Sequence, residues 1–522
     1  MTPKVHATAG LVASNAAWNL ARYVINWMVL LVVPPFLIHH MANDAYATWM
    51  LLLQIATYYS MVDTNMQTTV ARFTARSVAR EDRDDLSITL SSILAFLIIL
   101  AFSILLLGLV AAAMLGVVFP SIPHALLPTA QLSAVIIVGA LAVSLPCVTI
   151  VGAFLGYQRN HVVTVAIVLS KLANGVAMIL AVMFGGALIS LAVCFALTTL
   201  MAPLIYLRFW SRFHGAVKLR LVAVRATVVR EFAGYSGAVG LVTMSSILMS
   251  GLALPIVGIY DFAAVPAFSL AFAYANMLVI PQAAILAAAL PMLSGRSVDN
   301  NPVAMGDMLL RFARFSSISL ALFTAGLMII TPFFLRLWIG PVLAEQVRLP
   351  ALLLMLAQFV GLSTHPYRIA VLGVGQVMKT IPAILIEGVT SIILSLVLVR
   401  WWGGTGVAMA ILFASLIGVA GQCLISMPRT TAIISRPLAY TAAALGRPFL
   451  AILPMIAVTT LFWNDPLSIT ATAGIGIVVL GAALSFVVYF NLTASERQAG
   501  HSMALAGIRR FRRRITPTER SE

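Results

Sequence analysis

The chain has 522 residues, of which 61% are hydrophobic and only 9% are charged, and its formal net charge is +16. A soluble globular protein carries about 25% charged residues, so a chain this apolar cannot cover a water-facing surface and must be dissolved largely in lipid. Its apolar runs reach the length of about twenty residues that one helix needs to cross a membrane, too long for the alternating segments of a β-barrel. The composition therefore predicts an all-α polytopic membrane protein.

Fourteen apolar segments are long enough to cross a bilayer as helices. In chain order they are 14–38, 45–70, 87–118, 130–155, 162–183, 187–210, 233–259, 263–293, 311–335, 349–374, 380–400, 405–427, 446–463 and 469–493. The first run contains Arg22 and lacks a small-residue cleavage site, so we expect it to remain as the first helix rather than act as a signal peptide.

The basic residues alternate between loops as the positive-inside rule requires. Of the 32 Lys and Arg residues, 26 fall in the segments that lie on one side if the N-terminus is cytoplasmic, and only Arg336, Arg348 and Arg400 fall in the opposite loops. We therefore expect both termini in the cytoplasm. The net charge is then topological, and nucleic acid is not an expected partner.

The chain also shows signs of an internal duplication. Pro34 and Pro255 occupy matching places in the first and seventh spans, and the tripeptide Arg-Ser-Val at 76–78 recurs at 296–298. Two parallel repeats with the substrate between them are a known transporter plan. The predicted organisation is two pseudo-symmetric six-helix lobes plus two C-terminal helices: an N-terminal lobe at 1–210, a basic cytoplasmic linker at 211–232, a C-terminal lobe at 233–427, two additional helices at 428–495, and a basic tail at 496–522.

Polar residues follow one face of the first predicted helix. Asn15, Asn19, Arg22 and Asn26 are spaced by four, three and four residues, which places them on one side. A charge near the bilayer centre costs about 2.5–3.5 kcal/mol on insertion scales, so this face is expected to line a water-filled cavity and bind an anionic substrate. The alternative is a structural Arg22 that snorkels to the headgroups.

Two further cations lie within predicted spans. Lys171 is in the middle of the fifth span, and Arg368 follows Pro366 in the tenth. Both are predicted to contact substrate, with a structural role as the alternative for each.

Two carboxylates lie within spans as well. Asp63 in the second span is accompanied by Gln54, Tyr58 and Gln67 on the predicted polar face, and Glu387 is in the eleventh span. Each carboxylate is expected either to form an ion pair with a membrane cation or to bind a coupling ion.

The sequence does not favour an enzyme. The three cysteines form no metal-binding pattern, and Met378 stands where a phosphate-binding loop requires its second glycine. No predicted loop is long enough for a soluble catalytic domain. We therefore expect a protein without metal or cofactor.

Several motifs resemble those of a known transporter family. They are Asn15, Pro34-Pro35, Tyr46-Ala47-Thr48-Trp49, Tyr58-Tyr59, Asp63-Thr64-Asn65, Ala71-Arg72 to Asp82, Val257 to Tyr260, Ala289 to Asp307 and Leu372 to Gln376. Together they resemble the Wzx-type polysaccharide flippases of the MOP superfamily, although Ala47 and Asn65 replace two glycines of that pattern.

The resemblance implies fourteen helices in two six-helix lobes plus two. It also implies a function in the bacterial inner membrane, where alternating access moves an undecaprenyl-diphosphate-linked oligosaccharide outward for synthesis of O-antigen, lipopolysaccharide or exopolysaccharide. Expected partners are this substrate, anionic membrane lipids at the basic tail, and polysaccharide polymerase and glycosyltransferases.

Other functions remain open at this level. A multidrug exporter or a peptidoglycan-precursor flippase of the same superfamily would have the same architecture, although a multidrug exporter favours an acidic cavity for cationic drugs. A membrane-embedded polysaccharide polymerase or glycosyltransferase would carry a long outer loop with catalytic residues, whereas the outer loops here are short. A scaffold without transport activity is the remaining alternative.

Overall fold

A computed structural model describes residues 9–213, 217–220, 223–247, 251–279, 282, 302–374, 376–431, 433–434, 436–461 and 469–491. Within these ranges every regular element is a helix, and eight helices are long and apolar enough to cross a membrane. The predicted fold class, an all-α polytopic membrane protein, is confirmed. The predicted tail at 496–522 and the repeated tripeptide at 296–298 lie outside the described residues.

Eight helices make up the chain before residue 213. They are α1 (Ala9–His40), α2 (Asn43–Ala79), α3 (Arg83–Ala113), α4 (Leu115–Val118), α5 (Leu127–Ser144), α6 (Val148–Gly156), α7 (Asn160–Met183) and α8 (Leu188–Ser211). Asp82 caps α3, because its Oδ1 accepts hydrogen bonds from the backbone N–H groups of Asp84 and Asp85. Pro146 interrupts the α5–α6 segment with a 3₁₀ turn, Leu145–Cys147, since proline has no N–H to donate.

The remaining described helices begin at Ala226, so that α9 starts within the predicted basic linker. They are α9 (Ala226–Ser246), α10 (Ala253–Tyr260), α11 (Val265–Ala275), α12 (Pro302–Ile339), α13 (Pro341–Ser363), α14 (His365–Gly373), α15 (Ile381–Gly421), α16 (Pro437–Thr441), α17 (Arg447–Leu461) and α18 (Ile469–Asn491). Each of the fourteen predicted spans overlaps at least one helix in the part of the chain that the structure describes.

The long helix α15 is a hairpin of two arms. Its backbone leaves helical geometry at Trp402 and Gly403, and Gly403 has a φ of 52°. Asp261 Oδ2 accepts a hydrogen bond from the N–H of Gly404 at 3.0 Å and so begins the second arm. A Cβ atom at Gly403 would overlap the Asp261 carboxylate. The two predicted spans 380–400 and 405–427 correspond to these arms.

Contacts divide the chain into two compact units. The first comprises Met1–Ile280, Trp338–Ala357 and Ile381–Gly421, and the second comprises Pro281–Leu337, Gln358–Thr380 and Gln422–Glu522. The predicted lobe boundaries at 1–210 and 233–427 remain a prediction.

Within the first unit, α6 packs closely on α2 through two glycines. A Cβ atom at Gly152 would lie 2.3 Å from Val70 Cβ, and one at Gly156 would lie 2.6 Å from Thr74 Cβ. Because both positions on α6 are 82 residues beyond their α2 partners, the two helices run parallel. The Gly-x-x-x-Gly spacing therefore allows a close contact between helices, as small residues do in membrane bundles.

The helix α2 also runs antiparallel to α9 and α10 within the first unit. Arg76 near its C-terminal end contacts Glu231 of α9, Tyr58 near its middle contacts Gly251, and Leu51 near its N-terminal end packs against Gly258 of α10. A helix that packs on three partners at once is the central element of this unit.

Candidate functional site

The exposed face of the middle part of α2 carries hydroxyl side chains. Between Leu51 and Thr68 every exposed residue of this helix is a threonine or a serine. We name these residues, Thr57, Ser60, Thr64 and Thr68, the hydroxyl row.

The neighbouring helix α3 has the opposite character. Its exposed residues include Ile99, Phe102 and Leu107, each more than 60% exposed, as expected for a lipid-facing helix. An open face without a large apolar side chain indicates that the hydroxyl row faces water rather than lipid.

Two other polar residues of α2 bind a backbone carbonyl group between α9 and α10. Gln54 Nε2 and Tyr58 Oη both donate to the carbonyl oxygen of Gly251, at 2.8 and 2.7 Å. Gly251 lies between α9 and α10, two residues before the first residue of α10. The predicted polar face of α2 thus divides into two parts: Gln54 and Tyr58 bind backbone, whereas the hydroxyl row stays open.

Helices α1 and α7 run in the same direction and pack together. Each is joined by a short turn to one helix of the parallel α2–α6 pair, so both are antiparallel to that pair. They meet at Gly175, where a Cβ atom would lie 3.4 Å from Val33 and 3.5 Å from Val29.

Lys171 is exposed on the inward face of α7. Thr164 and Met178, seven residues before and after it, share its face because seven residues make about two turns, and both are buried. The exposed apolar residues of α7, including Leu172 and Val176, lie on a different side. Lys171 therefore lies deep in the protein but borders an opening, and it has no hydrogen-bond or ion-pair partner among the described residues.

Asn26 shows the same arrangement on α1. It is exposed, whereas Val33, seven residues later on the same face, is 7% exposed. The exposed apolar residues Met28 and Val32 mark the other side of α1. Asn26 precedes the Val29 contact by three residues and Lys171 precedes Gly175 by four, so the two polar residues lie at similar depth.

The hydroxyl row reaches that depth as well. Asn26 and Thr57 are each about fifteen residues from the turn between α1 and α2, which places them at comparable depths in the bilayer. The structure thus gives the first unit three inward-facing polar features: Asn26, Lys171 and the hydroxyl row. Asn15, Asn19 and Arg22 belong to α1, but their side chains lie outside the described residues.

Asp63 lies on α2 with a neutral partner. Its Oδ2 accepts a hydrogen bond from Gln67 Nε2 at 2.8 Å. Within the described part of the chain, no lysine or arginine pairs with it.

Glu387 is buried at 1% exposure between the two arms of α15. A Cβ atom at Gly418 would lie 2.4 Å from its carboxyl carbon, so the carboxylate rests directly on the second arm. This contact holds the two arms together through a glycine that leaves room for the side chain.

Arg368 belongs to the second unit, where it contacts Gln422. With the amide oxygen turned towards the guanidinium, Gln422 Oε1 accepts hydrogen bonds from Arg368 Nη2 at 3.0 Å and Nε at 3.3 Å. In the same orientation Gln422 Nε2 donates to Thr364 Oγ1 at 3.1 Å. This network ties α14 to the segment that follows α15.

Two arginines join the C-terminal end of α2 to the N-terminal part of α9. Arg76 donates to both carboxylate oxygens of Glu231, at 2.6 and 3.3 Å. The Arg72 guanidinium lies over the ring of Tyr235, 4.2 Å from its centroid. The hydrogen bond from Arg76 holds the pKa of the Glu231 carboxyl below its ordinary value and raises that of Arg76.

Comparison with known proteins yields structural matches only. No protein-family model matches the sequence, and no curated protein sequence matches it significantly. An inward-facing multidrug resistance MATE family transporter of the MOP superfamily matches with a TM-score of 0.66 and 13% identity, over 81% of this chain and 99% of that chain. Lipid II flippase MurJ in an inward closed conformation matches with a TM-score of 0.69 and 11% identity, over 91% and 99%.

A third match is a MOP superfamily transporter from Pyrococcus furiosus, described as having a binding pocket of reverse polarity that suggests a different function. Its TM-score is 0.60 and its identity 14%, over 81% of this chain and 99% of that chain. The chain has the fold of the MOP superfamily transporters. At these identities the likeness concerns the fold, and the Wzx type suggested by the sequence motifs remains a prediction.

The sequence patterns did not identify the hydroxyl row as part of a candidate site. The spacing of Thr57, Ser60, Thr64 and Thr68, by three, four and four residues, is itself a helical-face signal. This signal is not specific, because threonine and serine are common on membrane helices, where their hydroxyl groups bind carbonyl groups of the same helix. Here Thr64 Oγ1 donates to the Ser60 carbonyl at 2.8 Å, so only exposure distinguishes the row from buried hydroxyls such as Thr69.

Proposed function

We propose that the chain is a flippase of the bacterial inner membrane, which moves an undecaprenyl-diphosphate-linked oligosaccharide from the inner to the outer leaflet by alternating access. The product serves synthesis of a surface polysaccharide such as O-antigen or an exopolysaccharide. The observation that carries the proposal is Lys171, an exposed cation without a partner among the described residues, on the inward face of α7.

The chemistry of such a substrate suits these residues. A cation within the membrane is costly to insert and is retained where it has a function. A diphosphate supplies the counter-charge for Lys171, and the sugar hydroxyls both donate and accept hydrogen bonds, as Asn26 and the hydroxyl row do. The lipid tail can remain in the bilayer while the headgroup crosses, which requires a polar path of the kind that these side chains offer.

The structural relatives set two alternatives. The match to a lipid II flippase favours a peptidoglycan precursor as a second candidate, because lipid II also carries a glycan on a lipid diphosphate. The matches to multidrug transporters raise drug export. An unpaired lysine disfavours a cationic drug in the same space, since like charges repel where water is scarce.

The first prediction concerns the charge of Lys171. We expect Lys171→Met to slow translocation of undecaprenyl-diphosphate-linked oligosaccharide in proteoliposomes about ten- to hundredfold, because a hydrogen bond to a charged group contributes about 1.5–3 kcal/mol. Lys171→Arg retains the charge and should keep most of the rate. The matched control is Lys379→Met, because Lys379 is exposed in the 3₁₀ turn Val377–Lys379 and donates to Gln376.

Three outcomes separate the alternatives. A Lys171→Met protein that translocates the glycan lipid at the wild-type rate removes Lys171 from the mechanism. Translocation of lipid II in preference to other glycan lipids identifies a peptidoglycan-precursor flippase. Efflux of a cationic dye without movement of any lipid-linked glycan supports a multidrug exporter and overturns the flippase proposal.

A further inference from the structure

The chain between α8 and α9 is attached to α3 through its backbone. Its described residues directly before α9, which we name the α8–α9 segment, are 217–220 and 223–225. Ser87 Oγ of α3 donates to the carbonyl oxygen of Lys218 at 2.7 Å, and the backbone N–H of Arg220 donates to Ser91 Oγ at 2.9 Å. These bonds give polar partners to a backbone outside regular helices and fix its path across α3.

The α8–α9 segment covers part of the lipid-facing side of α3. The backbone N–H of Arg225 donates to Ser92 Oγ at 3.0 Å. Ser92 and Ile99 are seven residues apart, so they share one face of α3 and are about 10 Å apart along the helix. Ser92 is buried, whereas Ile99 is 66% exposed. The segment therefore lies over the same face of α3 that contacts acyl chains further along the helix.

The side chains of the α8–α9 segment divide into apolar anchors and exposed cations. Val217 and Leu219 are half-buried and pack on the hydrophobic core around α2, α3 and α6. Lys218 and Arg220, which alternate with them, are exposed, and so is Arg225. The segment thus presents three basic residues on the side away from the core.

Carboxylates of the protein do not balance these three cations. No described carboxylate forms an ion pair with any of them. Asp85, in the first turn of α3, accepts a hydrogen bond from Ser77 Oγ of α2 at 2.7 Å and is therefore directed towards α2. Asp84 is exposed in the same turn and offsets at most one of the three charges.

We propose that the α8–α9 segment is a binding surface for anionic phospholipid headgroups. The leaflet concerned is the one at the N-terminal end of α3, which the charge pattern predicts to be cytoplasmic. Clustered basic residues at a membrane surface attract anionic lipids, and phosphate oxygens accept hydrogen bonds from lysine and arginine. Lipid binding here does not depend on which substrate is transported, so it goes beyond the proposed flippase.

The location of the segment favours a phospholipid over the lipid-linked substrate. The segment lies on the lipid-facing side of α3, whereas Lys171 and the hydroxyl row, where the substrate is proposed to bind, face inward. The backbone bonds and the apolar anchors also distinguish it from a mobile basic loop, because they hold its cations beside the place where lipids contact α3.

Binding is tested by native mass spectrometry of the purified full-length protein in a neutral detergent, with equal amounts of phosphatidylglycerol and phosphatidylcholine. Each basic residue near the surface contributes about fivefold to the affinity for anionic lipid. We therefore expect the triple variant Lys218→Gln, Arg220→Gln, Arg225→Gln to bind its tightest phosphatidylglycerol about a hundredfold more weakly, with no change for phosphatidylcholine. A triple variant that binds phosphatidylglycerol as tightly as the wild type overturns the proposal.

The matched control removes three exposed basic residues from the same predicted side of the membrane, outside the α8–α9 segment. They are changed in the triple variant Arg80→Gln, Lys379→Gln, Arg429→Gln. We expect this control to lower the affinity for phosphatidylglycerol less than fivefold. An equal loss in both triple variants would mean that net charge alone attracts the lipid, and the proposed surface would be rejected.

Two single variants guard against misfolding of the triple variant. Lys218→Gln and Arg220→Gln should each weaken phosphatidylglycerol binding about fivefold. If both bind this lipid as the wild type does, the surface is rejected whether or not the triple variant folds.

Competition identifies the source of the phosphate. We expect neither inorganic phosphate nor undecaprenyl diphosphate, each at the concentration of phosphatidylglycerol, to displace that lipid from the wild type. Displacement by inorganic phosphate would identify a site for free phosphate, and displacement by undecaprenyl diphosphate would assign the segment to the transported lipid. Either result overturns the assignment to phospholipid.

Discussion

At the scale of single residues, the contact between Glu387 and Gly418 depends on the absence of a side chain. The Glu387 carboxyl group occupies the place where a Cβ atom of residue 418 would lie. Three positions further along, Gly421 would place its Cβ 3.4 Å from Ala383, an ordinary contact. The two arms of α15 are therefore closer together at the buried carboxylate than at Gly421.

We expect Gly418→Ala to destabilise the protein by about 1–3 kcal/mol, the usual effect of overpacking a tight contact. The measurement is the thermal midpoint of the purified protein in detergent. Gly326→Ala is the matched control, because Gly326 lies within α12 with nothing near its Cβ position, and alanine favours helix there.

A second change tests the cause. Glu387→Ala in the Gly418→Ala background removes the overlapping carboxylate and should recover part of the lost stability. A Gly418→Ala protein as stable as the wild type would show that the arms separate easily, and the contact would then have no structural importance.

The sequence identifies Asp63, Lys171 and Glu387 as candidate functional residues, because charged side chains are rare in apolar spans. It does not indicate their neighbours. Glu387 packs against Gly418, which lies 31 residues away across a hairpin. Glycine occurs in membrane helices for several reasons, so its presence at 418 does not by itself indicate this contact. The inward position of Lys171 became evident only from the burial of Thr164 and Met178 on the same face.

At the scale of helices, α2 is joined to α9 at its C-terminal end by Arg76 and Glu231. Both side chains are about half exposed, so the pair contributes about 0–1 kcal/mol and is screened by salt. Its importance lies in position, because it joins α2 to α9 where the two helices reach the cytoplasmic side predicted by the charge pattern.

Reversing the charge of either partner should separate these helix ends. We expect Arg76→Glu or Glu231→Arg to lengthen the distance between spin labels at the exposed residues Ala79 and Arg230, since like charges then face each other. The double exchange should restore the wild-type distance. Identical distances in all four proteins would mean that the ion pair does not hold these helix ends, and that the packing of Phe73 of α2 on Phe232 and Tyr235 of α9 suffices.

The same pair has a predictable pH dependence. The folded-state pKa of Glu231 is lower than its ordinary value because Arg76 donates to it. Its stabilising contribution is thus complete above the ordinary glutamate pKa of about 4.3 and is lost as the pH falls through the lowered value. We expect acidification below about pH 4 to lengthen the label distance in the wild type, with no such change in Glu231→Gln.

Helix positions were predictable from hydropathy, because the bilayer imposes a minimum apolar length on each span. Helix pairing was not. The α2–α9–α10 contacts join residues more than 150 positions apart, as in Arg76 with Glu231, and their register follows from packing rather than from periodicity. The sequence predicts 130–155 as a single span, so it does not show the 3₁₀ turn at Leu145–Cys147, and it does not identify Gln54 and Tyr58 as donors to the Gly251 carbonyl.

At the scale of the whole molecule, the orientation in the membrane rests on the basic residues alone. The first arm of α15 provides a direct test, because an exposed basic residue lies just before its start and another lies at its end. Lys379 precedes it on the predicted inner side, and Arg400 ends it on the predicted outer side. The arm itself, residues 381–400, has about twenty helical residues and is therefore about 30 Å long.

We expect a membrane-impermeant thiol reagent added to intact cells to label Arg400→Cys and not Lys379→Cys. The reagent should label both after permeabilisation, since both side chains are exposed. The wild type, whose three cysteines lie in predicted spans, measures the background. Labelling of Lys379→Cys in intact cells would invert the topology, place the Arg76–Glu231 pair outside, and require the glycan headgroup to enter from the opposite leaflet.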